Sequence, residues 1–199
     1  FVFIPQPPKT VEGKEGSGSV WKEAAYGFKY IFKRPSLLGL QLVFFFGNLF
    51  SGIGFTVLAP MILARTDNNS LIFGSAQSAG AIGAVIGGVI MSAWGGFKRR
   101  SHGVLIGWIL SGISGMTLLG IGRGLELWIP AMIFNSMLIP LVNSSNQALW
   151  QAKVAPDVQG RVFSARRLIA WFTNPISPII AGTLADFVLE PRMRMESGL

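Results

Sequence analysis

Cysteine is absent from the 199 residues, and histidine occurs once, as His102. The first absence excludes disulfide scaffolds, thiol catalysis and cysteine-based zinc sites, and the second excludes a multi-histidine metal centre. Charge is also scarce, at 13% of residues, about half the ~25% of a soluble domain. What fills the chain instead is apolar: 50% hydrophobic residues, 25 glycines and a mean hydropathy of +0.50. The net charge of +8 suits either a nucleic-acid surface or a membrane protein in bulk. The placement of the charges therefore decides between them.

Five stretches carry no charge: residues 35–64, 68–97, 101–122, 127–152 and 168–185. A helix needs ~20 mostly apolar residues to cross a ~30 Å hydrocarbon core. Four stretches exceed that length and the fifth approaches it, so the sequence predicts an all-α, polytopic membrane bundle. The spans are expected at about 37–64, 71–97, 102–122, 127–152 and 168–186. Basic residues alternate between the connecting segments. Lys9, Lys14, Lys22, Lys29, Lys33 and Arg34 precede the first span, Lys98, Arg99 and Arg100 follow the second, and Lys153, Arg161, Arg166 and Arg167 follow the fourth. The opposite segments hold only Arg65, Arg123, Arg192 and Arg194. By the positive-inside rule the N-terminal end is cytoplasmic and the chain is a multi-pass protein of a cell membrane, with the bilayer as its first partner. The alternation also excludes nucleic acid as a partner, because the basic residues are accounted for as topology signals.

Residues 1–36 are expected to form a separate region. Phe1-Val2-Phe3-Ile4 resembles the last turn of a preceding span stopped by Pro5, Pro7 and Pro8, and a polar linker follows to Ser19. Trp21, Ala24, Ala25, Phe28, Ile31 and Phe32 then recur at helical spacing, which predicts an amphipathic helix on the inner membrane surface. The half-bundle occupies 37–199.

Within the spans, residue size and polarity are sorted. In the second, Ala76, Gly80, Gly83, Ala84, Gly87 and Gly88 take one side and Ile82, Val85, Ile86, Val89 and Ile90 the other, a pattern for close helix packing on one face. In the fourth, Asn135, Ser136, Asn143, Ser144, Asn146, Gln147 and Gln151 share about half the wheel. Amides in hydrocarbon need a partner or water, so this arc is either interhelical glue or the lining of a polar cavity. Prolines interrupt the spans at Pro60, Pro130, Pro140, Pro175 and Pro178, and Trp171 to Pro175 reads as an aromatic and an amide beside a bend. No Asp, Glu, Lys or Arg lies inside the uncharged stretches. Neither a nucleophilic triad, nor a metal cluster, nor a phosphate loop can be assembled, and the expectation is a non-enzyme without cofactor or metal.

The segments between spans resemble the major facilitator superfamily, in the C-terminal half of its drug- and siderophore-exporting branch of macrolide-efflux-like and enterobactin-exporter-like proteins. WKEAAYGFKYIFKRP resembles the end of the central loop, AWGGFKRRSHG the basic loop between helices eight and nine, and APDVQGRVFSARRLIAW the turn between ten and eleven. The resemblance implies that the five spans correspond to helices seven to eleven of a twelve-helix fold. The N-terminal half and the last helix would then be missing partners. It further implies secondary active export of a hydrophobic or siderophore-like small molecule by alternating access, as a proton antiporter whose carboxylates reside in the other half. The implied substrate-cavity candidates are Asn48, Gln77, Asn135, Asn143, Trp171 and Asn174, with the third span peripheral. The candidates for cytoplasmic gating or head-group contact are Lys98, Arg99, Arg100 and Arg161. Ala93-Trp94-Gly95-Gly96 stands where the family commonly has an Asp before its basic cluster, which weakens a charge-relay gate there. The alternative from another class is a scaffold or remnant half-transporter whose polar residues serve packing alone.

Overall fold

The computed structural model describes residues 19–189, and every regular element among them is helical. Helix α1 is Val20–Phe32, α2 is Pro35–Arg65, α3 is Ser70–Trp94, α4 is Arg100–Ile121, α5 is Leu125–Lys153, α6 is Gln159–Trp171 and α7 is Thr173–Leu184, continued by a π-turn at Ala185–Leu189. Five segments are long and apolar enough to cross a membrane: α2, α3, α4, α5, and α6 with α7 from Gln159 to Phe187. The chain is thus an all-α bundle of membrane type. The expected helix end at Phe1–Ile4, most of the linker after it and the C-terminal tail lie outside the described residues.

Local chemistry sets the helix ends. Asn69 Oδ1 accepts from the Leu71 and Ile72 amides at 3.0 and 3.4 Å and starts α3. Gly95 and Gly96, at φ +73° and +83°, end it in the left-handed conformation that glycine adopts without steric cost. The second span therefore stops at Trp94, three residues earlier than the charge-free run suggests. At the fifth span the difference is larger. Helix begins at Gln159, so Arg161, Arg166 and Arg167 lie on a helix and not in a link, and the chain breaks only at Phe172. A charge-free run marks hydrocarbon, whereas a helix continues into the head-group zone where long basic side chains reach water.

The described residues divide into two compact units, 19–48 with 148–173 and 49–147 with 174–189. In the first, Tyr30 and Ile31 of α1, Leu37 of α2, Trp150 of α5, and Val162 and Ala165 of α6 form the core with Val154 and Val158. The α1 and α6 backbones meet closely at Gly27, where a β-carbon would stand 2.4 Å from the Arg161 carbonyl oxygen. This changes the expected surface helix at one residue. Ile31, assigned by spacing to the membrane face, is fully buried in protein, while Trp21 and Phe32 remain 85% and 60% exposed. α1 has two apolar faces, and one of them is docked.

In the second unit, Leu58, Ile62, Ala76, Ala79, Leu119, Trp128, Ala131 and Met132 make the core. The small face of α3 is buried at Ala76, Ala79, Gly80, Gly83 and Gly87. Its large face at Ile82, Val85, Ile86, Val89 and Ile90 is exposed, as a lipid-facing surface should be. A β-carbon at Gly83 would lie 2.2 Å from the Ile133 carbonyl oxygen, and one at Gly87 2.2 Å from that of Met137. Backbone thus packs directly on backbone, which only glycine permits.

Candidate functional site

The polar arc of α5 divides into a packed part and an open part. Asn135, Ser136 and Asn146 are buried, Ser144 and Gln147 are half-buried, and Asn143 and Gln151 are exposed. What buries Asn135 is α4. Gly103, Gly107, Ser111 and Gly115 recur every four residues, and a β-carbon at the three glycines would collide with Ser145, Val142 and Asn135 of α5 respectively. Four-residue spacing overshoots a 3.6-residue turn by about 40° per step, so such a stripe drifts off one face within a few turns. The π-turn at Ser111–Met116 takes up the surplus residue. Ser111 then donates its hydroxyl to Asn135 Oδ1, and Gly115 stays beneath the same side chain.

Asn135 is therefore only 3% exposed and hydrogen-bonded across the helix pair. Its geometry is that of interhelical glue, and the third span, implied to be peripheral, supplies the partner. A double-mutant cycle of Asn135→Leu with Ser111→Ala, followed by unfolding in mixed micelles, should give a coupling of about 0.6–1.7 kcal/mol. Purely additive losses would show the bond to be idle.

Asn143, two turns further along, has an exposed side chain. Gln77 of α3 and Asn174 of α7 are exposed as well. Asn48, half-buried, and Trp171, 61% exposed, belong to the other unit. Further along α5, Ser145 and Asn146 are buried, Ser145 against Gly103 of α4, which leaves Asn143 as the exposed amide of this stretch.

Several polar contacts carry no sequence signal. Gln41, in an otherwise apolar turn of α2, is buried and donates to the Arg166 carbonyl at 3.3 Å. Ser177 Oγ donates to the Leu49 carbonyl at 3.2 Å, and Gly52 gives it room. Arg65, in the sequence a sidedness signal alone, donates to the Gly120 and Gly122 carbonyls at 2.8 and 2.5 Å and so caps the C-terminal end of α4. Trp128 Nε1 adds a bond to the Leu119 carbonyl at 3.2 Å.

The basic candidates separate by role. Arg100 turns back to donate to the Gly95 carbonyl at 2.7 Å, whereas Lys98 and Arg99 are exposed. Arg161 lies over the Tyr26 ring at 5.0 Å, and Arg34 over Tyr30 at 3.6 Å. Arg166 faces Trp150 and Phe163 at 5.2 and 5.6 Å. Of these guanidinium–aromatic contacts, the one between Arg161 and Tyr26 joins α6 to α1 and adds to its docking. No group of three or more His, Asp or Glu residues suited to a metal ion occurs among the described residues.

Macrolide efflux protein A of Streptococcus pyogenes, and its counterpart from a serotype M6 strain of that species, are each 28% identical to this chain over 108 residues. The aligned stretch covers 53% of this chain and 26% of theirs, so about a quarter of the curated relatives' length is matched. No family model matches, and no solved structure does. The chain is thus a helical membrane protein with five membrane-length spans, similar over half its length to a macrolide efflux protein.

Proposed function

We propose that this chain forms one wall of the pathway in a membrane efflux transporter, with its spans in the places of helices seven to eleven of a major facilitator-type fold. The similarity to a macrolide efflux protein carries this reading. It is supported by the sorting of α3, α4 and α5 into a tightly packed face and an open one, with polar residues of α5 on both. The cargo is a hydrophobic drug-like or siderophore-like molecule. An apolar cargo of that kind needs few fixed charges along its path, in keeping with spans free of acidic residues below the head-group zone.

On this reading α3, α4 and α5 move as one body, because backbone-on-backbone contacts at Gly83 and Gly87 and the packed glycines of α4 resist sliding. Alternating access then comes from rocking this body against a second half-bundle, which supplies the opposite wall and the proton-coupling carboxylates. Asn143, Gln77 and Asn174 offer hydrogen bonds to cargo or water, and Asn135 holds the wall together. The protein is a carrier and performs no bond chemistry, and the basic side at Lys98 and Arg99 is cytoplasmic. Expression of the full coding sequence in an efflux-deficient bacterium should lower accumulation of a radiolabelled macrolide or another hydrophobic compound several-fold. Unchanged accumulation and resistance across a broad panel would remove export in favour of a scaffold role.

A further inference from the structure

Helix α1 has a second apolar face that its docking leaves open. Gly27, Tyr30 and Ile31 are buried on the protein side. On the opposite side, Trp21, Ala25 and Phe32 are exposed, and Phe28 at the edge is half-buried and packed against the protein core. At 100° per residue these four share an arc of about 60°. Lys22, Lys29 and Lys33, all exposed, form the adjoining arc. Glu23, the one acidic residue of the helix, lies beyond the lysines and away from the aromatic stripe. A row of aromatic residues is therefore edged by a row of one sign of charge.

The depth of this helix is fixed by its connection. Only Lys33 and Arg34 separate it from α2, whose 31 residues extend about 46 Å at 1.5 Å each. That exceeds a ~30 Å hydrocarbon core, so the ends of α2 stand in the head-group layers. The first unit also presents exposed Leu42, Val43 and Phe46 on α2, an apolar surface that a bilayer covers. Trp is favoured at the level of the head groups, and lysines there carry their ammonium ends outward to anionic lipid. A soluble protein partner would need an acidic, apolar-edged groove, whereas a phospholipid monolayer offers both chemistries side by side.

We propose that α1 is a lipid-binding helix that selects anionic phospholipid, with Trp21, Ala25 and Phe32 seated at the head-group boundary and Lys22, Lys29 and Lys33 contacting phosphates. Each lysine beside an anionic surface favours contact by about fivefold. The absence of cysteine makes the test direct. The full chain carrying Ala25→Cys is labelled with a fluorophore and placed in nanodiscs of phosphatidylcholine with phosphatidylglycerol, the spin quencher being attached to one lipid or the other. Phosphatidylglycerol-borne quencher should quench several-fold more than phosphatidylcholine-borne quencher. The triple variant K22Q/K29Q/K33Q, which leaves the buried face intact, should abolish the preference. Equal quenching by the two lipids, or a preference that survives the triple variant, overturns the proposal. So does a shielded label that neither lipid quenches, the signature of a second copy or a protein covering the face. The readout is lipid contact, and it is independent of export.

Discussion

Leucine in place of both Gly83 and Gly87 is expected to destroy the pairing of α3 with α5, whereas alanine at Gly88 leaves it intact. The three positions have the same chemistry and lie within two turns. They differ in what a β-carbon meets. At Gly83 the nearest atoms are the Ile133 carbonyl oxygen and Cα, at 2.2 and 2.7 Å, and at Gly87 they are backbone atoms of Met137, its carbonyl oxygen at 2.2 Å. At Gly88 nothing lies within 4 Å. A side chain in the way can rotate, but a helix backbone cannot, so the helices must separate along their whole contact. Overpacking a core costs about 1–3 kcal/mol per site. Two sites against backbone, in an interface without a hydrophobic drive between helices, should remove the cooperative thermal transition in micelles. Survival of that transition would refute the close approach of α3 to α5.

That interface shows what a sequence of this kind displays. Residue size alternates around α3 with the helical period, because one side must admit a backbone and the other meets lipid, so periodicity alone separates Gly83 from Val85. Gly88, grouped by size with the packed glycines, is turned about 100° from Gly87 and about 140° from Gly83, which is why nothing meets its β-carbon position. The arc of α5 is ambiguous in the sequence because a wheel gives direction but not distance. Asn135 and Asn143 are two turns apart on one polar face, and which is glue depends on the π-turn of α4 that brings Ser111 and Gly115 beneath Asn135. The only trace of that π-turn in the sequence is the four-residue spacing of Gly103, Gly107, Ser111 and Gly115, which does not by itself say where the extra residue is taken up. The arginines of α6 mislead in another way, because absence of charge reports hydrocarbon and not where a helix begins.

Gly27→Leu should release α1 from α6 while the spans persist. A β-carbon there would stand 2.4 Å from the Arg161 carbonyl oxygen and 2.8 Å from the Ala165 methyl. Leucine can be accommodated only by lifting the helix, which would uncover Tyr30 and Ile31. At the upper end of the overpacking cost, about 3 kcal/mol, amide exchange across α1 should accelerate about a hundredfold, with exchange in α3 and α5 unchanged. Gly39→Ala, at a position with nothing within 4 Å, serves as the neutral control. Unaltered protection of α1 in the leucine variant would mean that this helix is held by its connection to α2 alone, and that the contact of Arg161 with Tyr26 contributes little.

The central claim is that α5 presents a wetted, cargo-facing surface at Asn143, and thiol labelling tests it at single residues. Asn143→Cys and Val85→Cys are introduced separately into a cysteine-free version of the full protein in native membranes, and each variant is treated with a hydrophilic maleimide with and without a macrolide. Both native side chains are exposed in the fold, but the proposed pathway puts position 143 in water and position 85 in lipid. The Asn143→Cys thiol should react, and macrolide should slow its reaction several-fold, while the Val85→Cys thiol stays unreactive throughout. A thiol at position 143 as inert as the one at position 85, or one whose labelling ignores the macrolide, would contradict the claim.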